Sequence, residues 1–174
     1  RTPWTGVDVP ETAGVFGFNG ARFSLREAAA TGELLEYMGY QKAETEGNLT
    51  RYIIEGGNAA DTIDLHQIGD APMAEQGAGS VHHIAFAVDD RAAQLRVRQA
   101  LMDTGYQVTP VIDRNYFWAI YFRTPGGVLF EVATNEPGFD HDEDTAHLGE
   151  ALKLPEQYEA QRAEIERVLP HLAA

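Results

Sequence analysis

The chain contains a long-range internal repeat, and this repeat limits the folds that are open to it. Residues 18–25 align with residues 81–88 at a constant offset of 63 residues (81 minus 18), and both stretches have the pattern of a strand that runs into a helix. The apolar positions of the following helices repeat at the same offset: Ala30, Leu34, Tyr37 and Met38 match Ala93, Val97, Ala100 and Leu101. The sequence therefore predicts two successive units with the same order of elements.

Start and stop signals bound the predicted helices. Ser24 with Glu27 has the spacing of a capping box for the first helix. Each helix then reaches a glycine, Gly39 or Gly105, which suits the left-handed turn that ends a helix. Because the two glycines lie 66 residues apart (105 minus 39), we expect the second helix to be about one turn longer.

Three short strand-like runs follow each helix. In the first unit they are residues 40–45, 49–55 and 62–67, and in the second they are residues 106–112, 116–123 and 128–133. One apolar sheet face in each unit cannot be buried alone. The predicted fold class is therefore α+β: two tandem βαβββ modules that form a paired, cup-shaped mixed sheet, followed by a C-terminal helix.

The predicted domain organisation has three parts. Residues 1–14 are interpreted as an extended linker, residues 15–135 as the paired domain with modules 15–68 and 80–135, and residues 136–174 as an acidic loop and a helix that Pro155 opens. Tyr158, Ile165 and Leu169 are the apolar residues of that helix. Since the chain starts at Arg1 in an extended segment, it is interpreted as cut from a longer protein.

Charge and composition exclude several classes of function. The net charge of −14 disfavours nucleic acid and anionic membrane surfaces as partners. No run approaches the ~20 apolar residues of a membrane span, and no signal peptide opens the chain, so a cytoplasmic protein is expected. The chain has no cysteine, so a metal site could use only nitrogen and oxygen ligands.

Two ionisable residues stand inside apolar strand patterns. His83 lies in the run 81–88 and Glu131 in the run 128–133. Burying such groups is costly unless a charge or a hydrogen bond meets them, and one imidazole with one carboxylate is two-thirds of a facial metal site. Alternation predicts that His83 shares a face with Ala85 and Ala87. Glu131 has a competing interpretation as an edge-strand charge that blocks sheet association.

The second half of the chain resembles a known family. The segments that carry the resemblance are Val-His-His-Ile-Ala-Phe at 81–86, Asp-Arg-Asn-Tyr-Phe at 113–117 with Tyr121, Thr-Pro-Gly-Gly at 124–127, and residues 130–139 around Glu131. They look like the glyoxalase or vicinal-oxygen-chelate superfamily, and more specifically like the C-terminal half of its extradiol-type dioxygenases that cleave hydroquinone rings. The resemblance covers nearly the whole chain and is specific in its second half.

The resemblance implies a reaction and a set of residues. It implies a non-haem Fe(II), with Mn(II) or another divalent metal as the alternative, bound by His83, Glu131 and a histidine of an N-terminal domain that this chain lacks. The substrates would be an aromatic hydroquinone and O2, and His82, Arg114 and Tyr121 would handle protons and negative charge. Because two protein ligands hold Fe(II) poorly, the isolated chain is expected to show little turnover.

The first module departs from this pattern. By the repeat, Gly20 corresponds to His83 and Asp64 corresponds approximately to Glu131, so the first module has no His and Glu pair. Asn19 and His66 are the nearby substitutes, and neither is in register with a family ligand.

Alternative interpretations stay open at this point. By strict alternation His82 would share the helix-packed face as a packing or hydrogen-bonding residue. Arg114 could be a solvated loop cation, and Tyr121 could belong to the core. The alternative functions are a glyoxalase-like metal-dependent isomerase or a catechol extradiol dioxygenase, with a dimer partner or Asn19 completing the metal site, and a non-catalytic module that binds a small molecule. A homo-oligomer is compatible with each of them.

Overall fold

The computed structural model describes residues 2–4, 8–57, 60–72 and 74–170. Contacts divide the chain into two compact units, Arg1–Ile84 with Arg123–Phe130, and Ala85–Phe122 with Glu131–Ala174. Within the predicted linker, residues 1 and 5–7 lie outside the described residues. Its described part holds a 3-10 turn at Glu11–Ala13 and an isolated bridge between Trp4 and Val15.

The first module has the predicted βαβββ order. Its elements are β1 (Gly20–Leu25), α1 (Ala29–Tyr37), β2 (Gln41–Glu46), β3 (Leu49–Ile53) and β4 (Thr62–Gln67). The sheet order is β1-β4-β3-β2, with β1 parallel to β4 and the other neighbours antiparallel. Its core includes Phe23, Leu25, Leu34, Leu35 and Leu65, all at most 5% exposed.

The predicted capping box of the first helix is wrong. Ser24 is paired within β1, opposite His66 of β4, so its side chain does not cap α1. The backbone N–H of Ala28, the N-cap residue, instead donates to the Gln67 side chain at 3.4 Å. The end of the helix follows the prediction, because Gly39 has a positive φ of 97°.

The second module repeats the order. Its elements are β5 (Ile84–Val88), α2 (Arg91–Asp103), β6 (Ile112–Asp113), β7 (Phe117–Arg123) and β8 (Leu129–Pro137), and the sheet order is β5-β8-β7-β6. Helix α2 has 13 residues against 9 in α1, which confirms the predicted extra turn. The Asp90 side chain accepts from the Ala93 N–H at 2.7 Å, and Gly105 has φ of 93°. Two βαβββ modules in an α+β fold are thus confirmed.

The strand predicted at residues 106–112 is much shorter than expected. Only Ile112–Asp113 forms a strand, paired antiparallel with β7. Pro110 has no N–H to donate, and the Thr109 carbonyl is taken by the Arg98 side chain at 2.8 Å. Thr109 still donates its N–H to the Tyr121 carbonyl at 3.0 Å, but its hydroxyl accepts from the Tyr121 N–H at 3.0 Å in place of its carbonyl. Side-chain competition of this kind has no periodic signal in the sequence.

The turn between β7 and β8 packs within the first unit. A Cβ on Gly126 would lie 2.7 Å from Leu25 Cδ2 and 3.0 Å from Thr31 Oγ1, so only glycine fits this contact. The Phe130 ring meets Phe23 with 5.7 Å between centroids. The hairpin Arg123–Phe130 therefore contributes to the core that β1 and α1 build.

The C-terminal helix is present but begins differently from the prediction. Pro155 precedes a 3-10 segment, Glu156–Gln161, and the α-helix α3 spans Arg162–Val168. Arg162 holds the junction through ion pairs to Glu159 at 2.7 Å and Glu166 at 3.2 Å. Across the described residues, every helix is too short or too polar to cross a bilayer.

Candidate functional site

Glu131 is a buried carboxylate in an interior strand. Strand β8 lies between β5 and β7, and Glu131 is 3% exposed. Its interpretation as an edge-strand charge is therefore wrong, because an edge charge acts by facing solvent. A carboxylate this deeply buried is retained only where hydrogen bonds or a cation meet it.

Tyr121 is a hydrogen-bond partner of Glu131. Burial is the largest cause that raises the pKa of the Tyr121 phenol, and its hydrogen bond to Glu131 and the charge of that carboxylate raise it further. The Arg114 guanidinium acts in the opposite direction. The balance leaves the phenol protonated at neutral pH, so it can donate.

Arg114 completes this polar group. Its Nη2 lies 3.3 Å from the Tyr121 hydroxyl, and its Cζ lies 5.5 Å from the centre of the Tyr121 ring. The turn that presents it is tightly held: Asn115 has a positive φ of 70°, and its N–H donates to Asp113 at 2.8 Å. The structure thus brings Arg114, Tyr121 and Glu131 together in the second unit.

The two histidines precede β5 instead of standing inside a strand. The strand begins at Ile84, and the His82 carbonyl accepts from the Gln76 side chain at 3.0 Å. The side chain of His82 is exposed, so His82 is not a packing residue, and it is hydrogen-bonded, which is the other role expected for it. His82 Nδ1 lies 2.9 Å from His83 Nδ1, and the rings meet edge to face at 5.1 Å. One imidazole therefore donates to the other.

The first module carries an ion-pair cluster at the position that corresponds to Glu131. Asp64, 7% exposed, accepts from Arg51 Nε at 2.8 Å and Nη2 at 3.1 Å, and from Arg22 at 3.3 Å. The hydrogen bond from Arg51 is the main cause that lowers the Asp64 pKa. A Cβ on Gly20, the counterpart of His83, would lie 2.0 Å from the Thr62 carbonyl oxygen. This position therefore accepts no histidine.

The part of the chain that the structure describes contains no complete metal-ligand cluster. Within the ranges 2–4, 8–57, 60–72 and 74–170, no group of three His, Asp or Glu side chains is arranged to hold an ion. His83 and Glu131 supply nitrogen and oxygen donors of the types that divalent iron accepts. Their binding to one ion stays a prediction.

The aromatic residues before and within β7 pack against the following loop. Tyr116 stacks on Phe139 with 5.4 Å between centroids, and its hydroxyl donates to Asp142 at 3.4 Å. The Arg91 guanidinium covers Trp118 at 4.8 Å. A pocket beside Trp118 is lined by acidic side chains, among them Asp142. Because these carboxylates would repel a phenolate, we do not assign the aromatic substrate to this pocket.

One polar residue of interest was not singled out from the sequence. Gln94 of α2 is fully buried, and its amide nitrogen bonds the backbone of both β7 and β8. The sequence feature that indicates this residue is its position directly after Ala93, which belongs to the predicted buried stripe of the helix.

Comparison with known proteins relates the chain to ring-cleaving enzymes. Over 169 residues it is 45% identical to "Putative ring-cleaving dioxygenase MhqO" of Bacillus subtilis, covering 95% of this chain and 53% of that protein. It is 33% identical over 173 residues to a chlorohydroquinone/hydroquinone 1,2-dioxygenase of Sphingobium indicum, covering 96% and 53%. The chain spans about half the length of the curated relatives it matches.

The solved structures agree with this relationship. The crystal structure of a "putative dioxygenase" from Bacillus subtilis superposes with a TM-score of 0.86 at 42% identity, covering 97% of this chain and 54% of that one. The family model described as Glyoxalase/Bleomycin resistance protein/Dioxygenase superfamily matches residues 17–132. The chain therefore belongs to the glyoxalase/bleomycin resistance protein/dioxygenase superfamily.

Proposed function

We propose that this chain is the C-terminal half of a dioxygenase that cleaves the ring of hydroquinone-type substrates with Fe(II) and O2. The observation that carries the proposal is the buried Glu131 carboxylate with Tyr121 and Arg114 around it, in a chain related to a hydroquinone dioxygenase. A buried acid with a phenol and a guanidinium is a costly arrangement for packing alone, and it suits a site that handles charge.

His83 and Glu131 are the proposed metal ligands, and a histidine from outside this chain would complete the set. If His83 donates from Nδ1 to His82 Nδ1, its Nε2 is the unprotonated ring nitrogen, which is the form that can bind a metal. His82 would then fix the tautomer of the ligand, which is a common role for a residue beside a metal-binding imidazole. Fe(II), when bound, supplies the electron transfer between the aromatic ring and O2 that an uncatalysed reaction lacks.

The chain's own residues would bind the substrate and manage its protons. The Arg114 guanidinium can hold an anionic ring oxygen with paired N–H donors. When substrate is bound, the protonated Tyr121 hydroxyl can turn its single O–H from Glu131 to an oxygen on which negative charge develops. His82, exposed and bonded to His83, can accept or return a proton.

The test supplies the missing nitrogen ligand from solution. The chain is loaded with Fe(II) under anaerobic conditions and mixed with substituted hydroquinones and O2, with and without free imidazole. We expect slow O2 uptake without imidazole, faster uptake with it, and a ring-opened product that has gained two oxygen atoms. Glu131→Gln should lower the rate about 100-fold, whereas the exposed Glu150→Gln should leave it unchanged.

Other results would contradict specific parts of the proposal. Rapid uptake by the chain alone would show that its metal site is already complete. A product of unchanged mass would indicate the isomerase alternative, and cleavage of catechols in preference to hydroquinones would indicate the other dioxygenase class. Tight binding of aromatics that survives Glu131→Gln, without any turnover, would indicate a binding module.

A further inference from the structure

Gln94 connects helix α2 to the two strands that carry the proposed site. Its side chain is 0% exposed. The amide nitrogen donates to the Trp118 carbonyl of β7 at 2.6 Å and to the Val132 carbonyl of β8 at 2.8 Å. A primary amide has two N–H donors, so both are used, one on each strand.

These two carbonyls flank the polar group described above. Val132 directly follows Glu131, and Trp118 precedes Tyr121 by three residues on the adjacent strand. Side chains alternate along a strand, so α2 can hold the Val132 backbone while Glu131 points to the opposite face. The Gln94 amide therefore fixes the strand spacing next to the hydrogen bond between Tyr121 and Glu131.

A second side-chain link joins the same strands at this point. The Trp118 N–H of β7 donates to the Thr134 hydroxyl of β8 at 3.1 Å, and that hydroxyl donates to the Glu136 carbonyl at 2.7 Å. Trp118 is therefore tied to β8 through its N–H and to α2 through its carbonyl. Removing the Gln94 amide would leave the Trp118 and Val132 carbonyls without the donor that they share.

The first module has a residue at the helix position equivalent to Gln94, in a module whose acid is not a candidate metal ligand. Thr31 is the counterpart of Gln94 at the repeat offset of 63 residues (94 minus 31), and it is also 0% exposed. Its hydroxyl has no hydrogen-bond partner within the described residues. In that module arginine side chains hold the acid Asp64. Within the described residues, the helix residue at this position bonds the strands in the module of Glu131 and not in the module of Asp64.

Burying the Gln94 amide carries a cost that an apolar residue of the same size would avoid. Its Oε1 is buried and has no hydrogen-bond partner in the described part of the chain. From this geometry we propose that Gln94 is a positioning residue, which sets the distance between Tyr121 and Glu131 and so prepares Glu131 to bind a divalent metal. The metal-binding part of this inference rests on the proposed function.

The experiment compares substitutions on the same helix. Gln94→Met keeps the length and removes the donors, and Gln94→Asn keeps an amide that is one methylene shorter. Leu101→Ala is the control for stability, because Leu101 is a core residue of α2 at 2% exposure. Gln99→Met is the control for chemistry, because the Gln99 amide is exposed and bonds Asp103 of the same helix at 2.7 Å.

Two readouts separate positioning from stability. The first is Mn(II) affinity, measured by electron paramagnetic resonance, and we expect Gln94→Met to weaken it about 10-fold while both controls leave it unchanged. The second is the NMR resonance of the Tyr121 phenol carbon in ¹³C-labelled protein, assigned with Tyr121→Phe. It should shift in Gln94→Met toward the value of an exposed tyrosine and stay in place in Leu101→Ala.

The outcomes are distinguishable. If Gln94→Met changes neither readout, or if Leu101→Ala changes both equally, the inference is wrong while the proposed function stands. If the wild-type chain binds no Mn(II), the proposed metal site fails, and the Tyr121 resonance alone then decides whether Gln94 positions the pair. If Gln94→Met does not fold, Gln94→Asn carries the same comparison.

Discussion

At the scale of single residues, the two modules treat equivalent acids in different ways. Asp64 lies opposite Arg51 in the register of β3 and β4 and also bonds Arg22 of β1. Glu131 instead bonds the Tyr121 phenol, and the repeat counterpart of Arg22 is Ala85 (85 minus 22 is again 63). The acid of the first module thus has built-in cations, whereas the acid of the second has a neutral donor.

Asp64→Asn should destabilise the protein in a pH-dependent way. The folded pKa of Asp64 is lowered, so its ionised form stabilises the fold above the unfolded pKa of about 4, and this contribution disappears as the pH falls through the folded value. We expect a loss of about 1 to 2 kcal/mol at neutral pH, limited by the partial exposure of both arginines.

Urea unfolding of wild type and variant at neutral and acidic pH measures this difference. Glu44→Gln is the matched control, since this exposed carboxylate also pairs with Arg51, at 3.2 Å, but lies at the surface. A destabilisation by Asp64→Asn that is equally large at both pH values would contradict the explanation.

Tyr121→Phe should lower turnover and also weaken the metal site. The substitution removes the hydroxyl that bonds Glu131 and Arg114 and keeps the ring over which Arg114 lies. In the imidazole-supplemented assay at saturating metal we expect kcat to fall about 10- to 100-fold. We expect Mn(II) affinity to fall about 10-fold, as in Gln94→Met, because Glu131 loses the same hydrogen bond. Tyr158→Phe, at an exposed tyrosine of the C-terminal segment, is the control. An unchanged kcat would remove Tyr121 from the proposed chemistry.

At the scale of elements, the repeat predicted most of the fold because it copies buried stripes and turn residues together. Gly39 and Gly105 end their helices with positive φ, as expected. The failures lie where a side chain replaces a backbone partner, as Thr109 does beside Tyr121. Such exchanges depend on contacts between distant residues, and a local pattern does not record them.

The candidate site was only partly accessible to sequence reasoning for the same reason. Motifs indicated Arg114, Tyr121 and Glu131, and the structure brings these three together. The placement of His82 before the strand depends on a loop contact from Gln76. The role of Gln94 depends on two backbone carbonyls, and no residue type in the sequence marks these.

Gly126→Ala should destabilise the hairpin between β7 and β8. The new methyl group would lie 2.7 Å from Leu25 and 3.0 Å from Thr31, so the packed core has to shift to make room for it. We expect the free energy of unfolding to fall by about 1 to 3 kcal/mol. Gly77→Ala is the matched control, because nothing lies within 4 Å of its added Cβ. Thermal unfolding of Gly126→Ala and Gly77→Ala tests this prediction. Equal melting temperatures would show that the turn accommodates the methyl group without loss of stability.

At the scale of the whole molecule, charge is the dominant property. The 174 residues carry a net charge of −14, and many acids of the C-terminal segment are exposed. Repulsion among surface charges of one sign opposes the compact state and is screened by salt. The ion pairs described above offset only part of this excess.

Added salt should therefore stabilise the protein. We expect the melting temperature to rise by about 2 to 5 °C between low and high NaCl, because screening relieves repulsion over distances beyond about 10 Å. The same titration in a variant with several C-terminal acids changed to glutamine should show a smaller rise. A melting temperature that falls with salt would mean that the attractive ion pairs outweigh the net repulsion.

The guanidinium groups around Asp64 also affect the number of metal ions that one chain can bind. The Asp64 carboxylate is already neutralised by two arginine side chains, so it has little affinity for a metal cation from solution. The second copy of the module therefore does not provide a second metal site. Titrating the chain with Mn(II) should therefore saturate at a single equivalent, however closely one half of the repeat copies the other.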